Sequence, residues 1–239
     1  MWEALWQWLW LPIDASRAHG LEQNVAWHGR LMVATWGFLF PISIIITRFL
    51  KVTPRQQWPN ELDNRFWFRV HVAAQVSGGV LTAFAVWLVW SPGSEGNLPW
   101  LHRLCGWSVV SLYCAQFIGG IARGTRGGMD EPAPDGSIHG DHFDMTTRRV
   151  IFEYAHKTLG YTSIVLAAMA MLLGLWITNA YIWMWLGLFG WWCFSITVYA
   201  ALQRKGMALD TYQAIWGPDP NLPGNQRKPI GFGIQRRNG

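Results

Sequence analysis

Charge is scarce in this chain, and cysteine scarcer still. Only 14% of its 239 residues are Asp, Glu, Lys or Arg, and three are cysteine. Cys105, Cys114 and Cys193 all fall in apolar stretches and form no CxxC pair. A disulfide framework or a cysteine zinc site is therefore not expected, and the three thiols read as small apolar packing residues. The net charge is +5, but no basic stripe alternates with solvent-facing aromatics, which argues against a nucleic-acid partner. The basic n-region and small-residue cleavage site of a secretory signal are absent. There is no inverted repeat, and the apolar runs carry few charges, so a transporter is disfavoured.

What the chain does have is apolar residues, at 51%, and tryptophan, at 18 residues. The apolar residues gather into uncharged runs of roughly 20, the length a helix needs to cross about 30 Å of hydrocarbon. The pattern predicts an all-α integral membrane protein with five spanning helices. They run over 24–49, 66–90, 98–121, 149–177 and 181–202, the first four forming a bundle beside the fifth. Ser91-Pro92-Gly93 is expected to end the second in a tight turn. Thr178-Asn179 joins the last two so briefly that they must be antiparallel neighbours. Pro41 lies inside the first span, where it frees the Gly37 carbonyl and calls for a neighbour to cover the gap. Met1–Pro12 is too short to span. Its Trp2, Trp6 and Leu9 share one helical face, as in a helix lying at the interface. Three regions result: an N-terminal interfacial segment (1–23), a membrane domain (24–202) and a basic, Pro/Gly-rich tail (203–239). Residues 124–147 read as a Gly/Pro/Asp-rich cytoplasmic loop, and the tail 217–239 cannot bury enough apolar surface to fold alone.

Arg17, Arg30 and Arg103 are the only three cations on the face shared by the N-terminus and the even-numbered connections, while sixteen lie on the other. Basic residues concentrate on the cytoplasmic side of membrane proteins. The expected arrangement puts the N-terminus outside and the C-terminus in the cytoplasm, in a bacterial inner membrane.

Four of the seven histidines sit near the N-terminal ends of consecutive spans: His28, His71, His102 and His156. A histidine within a membrane helix is costly and marks a functional candidate. Consecutive helices alternate direction, so their N-terminal ends alternate faces. His28 and His102 then lie toward one face, His71 and His156 toward the other. Two neutral imidazoles facing each other across a helix bundle can ligate a haem iron axially. Arg30, Arg69, Arg103 and Lys157 each stand one or two residues from a histidine, where they could pair with haem propionates. Gly29, Gly78, Gly106, Gly119, Gly120 and Gly160 could leave room for a macrocycle.

The run His28-Gly29-Arg30-Leu31-Met32, followed by Trp36, Pro41 and Arg48, resembles the first ligand helix of the cytochrome b561 family, in its DOMON-associated branch. Trp67-Phe68-Arg69-Val70-His71 with Gln75, His102-Arg103-Leu104-Cys105-Gly106, and His156-Lys157-Thr158-Leu159-Gly160-Tyr161 resemble the other three. The resemblance covers about 27–202 and implies two b haems (pairs His28/His102 and His71/His156), electron transfer across the bilayer, and often a homodimer. No DOMON domain accompanies it, so an extracytoplasmic donor would be a separate protein. The ascorbate-linked motifs of animal and plant members do not appear, which weighs against ascorbate. A quinol-linked membrane oxidoreductase and a structural or assembly subunit of a larger complex are the alternatives. His139 and His142, in the motif His139-Gly140-Asp141-His142-Phe143-Asp144, are candidates for a metal or for contact with a redox partner. His19, the remaining histidine, also lies outside the spans.

Overall fold

A computed structural model of the chain describes residues 1–90, 97–129, 131–132 and 135–237. The turn expected at Ser91-Pro92-Gly93 lies outside the described residues. The chain is an all-helical membrane protein. A short α1 (Trp2–Leu9) precedes five helices long and apolar enough to cross a membrane. They are α2 (Gln23–Phe49), α3 (Phe66–Leu88), α4 (Asn97–Ile121), α5 (Thr147–Ile177) and α6 (Ile182–Arg204). A six-residue α7 (Thr211–Trp216) follows. The ends differ from the expected ones by at most two residues, as fraying predicts. Only 11–28% of the most apolar stretch of each span is buried, so most of that surface is available to lipid.

The chain divides into two compact units. Unit 1 comprises Met1–Ile42, Ala74–Ser111 and Ser163–Val198. Within it α2 opens into a π-helical stretch at Val33–Leu39, just ahead of Pro41. Proline has no N–H to offer the carbonyl four residues back. The Gly37 carbonyl instead accepts from the Trp191 indole of α6 at 2.7 Å, the neighbour that the kink demanded. Gly78 lets α3 close on α2, since a Cβ there would lie 2.3 Å from the Phe40 ring.

The α5–α6 turn is built on Asn179, which takes a left-handed φ of 48° that asparagine tolerates better than most residues. Its buried amide donates to the Asp14 and Arg17 carbonyls, both at 3.0 Å, and accepts from the Asp14 N–H. Arg17 caps the end of α5 by donating to the Trp176 and Ile177 carbonyls. Residues 11–19 are thereby tied to this turn, while α1 has no buried residue and leaves Trp2 and Trp6 exposed.

Unit 2 comprises Ser43–Ala73, Leu112–Thr162 and Tyr199–Gly239. Here the loop and the tail pack together. Residues 208–214 are buried, with Asp210 capping α7. Ile230 packs with Met145 and Tyr212, joined by Val150, Trp216 and Leu222. Arg236 bonds the Asp210 carboxylate and the carbonyls of Gly224, Asn225 and Arg227. The tail does not need a core of its own, because it borrows one from α7 and the 124–147 loop. That loop closes on itself in turn, with Asp141 accepting from the Thr125 N–H and the Thr146 hydroxyl.

Candidate functional site: two histidine pairs

Each unit holds one pair of facing imidazoles. In unit 1, His28 of α2 and His102 of α4 have ring centres 6.2 Å apart, with planes at 73°. In unit 2, His71 of α3 and His156 of α5 are 5.9 Å apart, with planes at 82°. These are the partners that alternating helix direction brings together. A metal–imidazole bond is about 2 Å long and the ring centre lies about 1 Å behind the donor nitrogen, so two rings across one metal have centres about 6 Å apart. Both pairs have the spacing of axial ligands to a single iron.

Tautomer is settled differently in the two pairs. His28 Nδ1 lies 2.9 Å from the Ala85 carbonyl, and His102 Nδ1 lies 2.9 Å from the Ala170 carbonyl. A carbonyl can only accept, so in both rings Nδ1 carries the proton and Nε2 keeps its lone pair for a metal. Gly174 guards this placement, since a Cβ there would sit 3.3 Å from His102 Cε1. Gly29 and Gly106, beside His28 and one turn beyond His102, face open space. Those residues fit a haem held between the two rings.

In unit 2 no backbone carbonyl plays that part. His71 Nδ1 is buried without a partner among the described residues. His156 faces the Gln116 amide of α4. With the amide nitrogen turned toward them, the His156 carbonyl and Nδ1 lie at 2.8 and 2.9 Å, and the amide oxygen accepts from the Gly160 N–H. That donation leaves the ring proton on Nε2, so ligation through Nε2 requires the amide to turn until its oxygen accepts a hydrogen bond from Nδ1–H. Phe152 stacks on His156 at 5.2 Å and 27°, and the Arg149 guanidinium lies over Phe152. Gln116 and Phe152 were not anticipated. A lone amide inside an apolar span was the available signal for Gln116.

The four flanking cations occupy different situations. Arg30 lies over the Trp27 ring, and Arg69 and Arg103 are exposed. Lys157 is committed, donating to Glu153 and to the Ile230 carbonyl, both at 2.8 Å. Of the candidate glycines, Gly120 also faces open space, Gly119 lies near Phe152, and Gly78 and Gly160 are taken up by Phe40 and Gln116.

The loop histidines turn inward or pair locally. His139 contacts Asp144 at 3.1 Å. His142 is buried against Tyr212 and Trp216, with Nε2 3.9 Å from Glu153. Burial first, and then the nearby Arg149, push its pKa down to about 3. Among the described residues, no three His, Cys, Asp or Glu side chains converge to hold a bare metal ion. His19 bonds the Asn179 carbonyl at 2.8 Å.

Residues 27–129 match the family model for eukaryotic cytochrome b561. A cytochrome b561, DM13 and DOMON domain-containing protein of Arabidopsis thaliana is 23% identical over 162 residues, covering 68% of this chain and 16% of that protein. Two cytochrome b561 and DOMON domain-containing proteins of the same plant are each 27% identical. Their matches cover 59% and 62% of this chain, and 28% and 31% of their own lengths. The chain thus spans less than a third of each of these relatives. No solved structure matches it. The resemblance carried by the motifs is borne out. These relatives are plant proteins and lend no support to a bacterial membrane.

Proposed function

Proceeding from a membrane region of cytochrome b561 type, we propose that this chain is a dihaem b-type cytochrome that carries electrons across the bilayer. It would link a redox partner on the extracytoplasmic side to one in the cytoplasm or the membrane. The carrying observation is the pair of facing imidazoles in each unit, at 6.2 and 5.9 Å, drawn from four different spanning helices. When bound, each haem iron supplies reversible one-electron transfer.

The chain's own residues bind and orient. His28 and His102 present Nε2 because their Nδ1 protons go to helix carbonyls. His71 and His156 would hold the second site, where the Gln116 amide faces His156 and Phe152 covers one face of its ring. Arg30, Arg69 and Arg103 stand where anionic propionates would reach the interface. Lys157 is already engaged and contributes least.

Unit 1 carries three cations and unit 2 sixteen, which supports a cytoplasmic placement of unit 2 and the C-terminus. Residues 24–202 then form the haem-bearing domain, with 1–23 at the interface and 203–239 on the cytoplasmic side.

A pyridine haemochrome assay on purified, separately quantified protein tests this reading. Two b haems per chain are expected. One would leave one histidine pair structural. None, in protein supplied with haem, would overturn the electron-transfer reading and favour a structural or assembly subunit.

A further inference from the structure

The end of α4 meets the second histidine pair on the side where both ligand helices begin. Gln116 of α4 faces His156, and a Cβ on Gly119 would lie 3.9 Å from the Phe152 ring, which stacks on His156. Arg123, one turn beyond Gly119, sends its guanidinium over the Phe68 ring, 4.7 Å from its centre. Phe68 stands one turn before His71 on α3, and Phe152 one turn before His156 on α5. The Arg123 charge is felt at both imidazoles. The backbone here is fixed as well. Gly124 takes a φ of 91°, and Asp141 packs where its Cβ would be and accepts from the Thr125 N–H.

What Arg123 lacks is an acceptor. Around it Arg126 bonds Asp63, Arg148 bonds the Ala122 carbonyl, and Arg149 and Lys157 share Glu153. Arg123 has no hydrogen bond or ion pair among the described residues, although it is half-buried. Burial first, and then Arg149, push its pKa below the ordinary arginine value. Glu131 opposes that push, but its carboxylate already meets Arg126 and Arg65. A guanidinium keeps its charge even so. A cation held partly out of water without a counter-ion is costly, and an anion gripped by the planar fork relieves the cost.

We propose that Arg123 grips a propionate of the haem held by His71 and His156, an inference that rests on the haem reading above. The free guanidinium lies at the interface end of the pair, where a haem turns its two carboxylates. Phe68 holds the side chain there by cation–π attraction. Arg123 thus fills the role expected of Lys157, whose ammonium is engaged by Glu153 and the Ile230 carbonyl.

The test compares Arg123→Leu and Arg123→Lys with the unsubstituted chain. Each is reconstituted with protohaem or with its dimethyl ester, whose propionates carry no charge. Transfer to excess apomyoglobin reads haem retention, and the His28/His102 component reports that the chain stays folded. Arg123→Leu is expected to speed protohaem loss from His71/His156 about 10-fold, with Arg123→Lys restoring part of the retention. Loss of the ester is expected to be unchanged in both variants, as is loss of either haem from His28/His102. Equal acceleration for haem and ester would make Arg123 a support of the fold and overturn the proposal. Unaltered protohaem loss would overturn it too. Phosphatidylglycerol kept by the unsubstituted chain but not by Arg123→Leu in native mass spectrometry would then identify a lipid headgroup as the anion. Absence of the His71/His156 component from the unsubstituted chain would instead overturn the haem reading beneath it.

Discussion

The two units place imidazole pairs at nearly the same spacing in very different surroundings. Unit 1 has three cations and four carboxylates in its sequence, against sixteen and ten in unit 2. Around His28 and His102 the orienting groups are helix carbonyls, which substitution cannot easily remove. Around His71 and His156 they are side chains: Gln116, Phe152 with Arg149 over it, and a Glu153 shared between Arg149 and Lys157. One site is thus set by backbone, and the other is adjustable residue by residue. The adjustable one is where single substitutions can change the surroundings of an imidazole pair.

The sharpest attempt to break this comparison is removal of single ligands. His28→Ala or His102→Ala should abolish the unit 1 haem alone, and His71→Ala or His156→Ala the unit 2 haem alone, as followed by low-temperature absorption spectra. Loss of the same spectral component from His28→Ala and His71→Ala would disprove the pairing. Gln116→Leu should next weaken haem retention in unit 2 by about 10- to 100-fold, the usual cost of losing a group that orients a ligand. Competition with apomyoglobin measures this, and an equal loss from unit 1 would show that the sites are not independently built.

Glu153→Gln leaves Arg149 and Lys157 without their carboxylate, 3.1 and 2.8 Å away. Breaking a buried pair from one side should cost about 3 kcal/mol, less whatever solvent returns to the partly exposed Lys157. Thermal unfolding in detergent should show the drop, with amide exchange accelerated most in unit 2.

A pH effect confined to unit 2 should follow. The folded pKa of His142 is about 3, below its ordinary 6.5, so folding favours the neutral ring. Its contribution is complete above about pH 6.5 and is lost as pH falls from there toward 3. Amide protection over 140–146, relative to the intrinsic exchange rate at each pH, should fall between pH 6.5 and 4, and His142→Phe should flatten that response. The smallest effect is expected in unit 1. Trp191→Phe strips the donor from the Gly37 carbonyl and should cost about 1 kcal/mol, unless water reaches the π-helical turn.

Much of this was legible before the fold was known. The five spans are written in apolar length, and the pairing of four histidines follows from alternating helix direction. The kink at Pro41 with its need for a covering donor follows from a missing N–H. The supporting groups were less visible. Nothing in the local pattern ties Gln116 to His156, because their separation along the chain is bridged only when α4 and α5 pack. The resting place of the tail was hidden for a related reason. Its composition cannot build a core, but composition does not report that Tyr212, Met145 and Trp216 would lend it one. The burial of His142 was hidden because its neighbours come from distant α5 and α7.

The sequence by itself determined the membrane architecture, the charge asymmetry and the ligand candidates. These depend on hydropathy, length and helix polarity, which are properties of single segments. Only the tertiary structure decided which carbonyls set the tautomers of His28 and His102, which side chains serve His156, and where the tail rests. Each of those is a contact between groups remote in sequence, made at hydrogen-bond range, and no one-dimensional pattern encodes a distance of 3 Å between two helices.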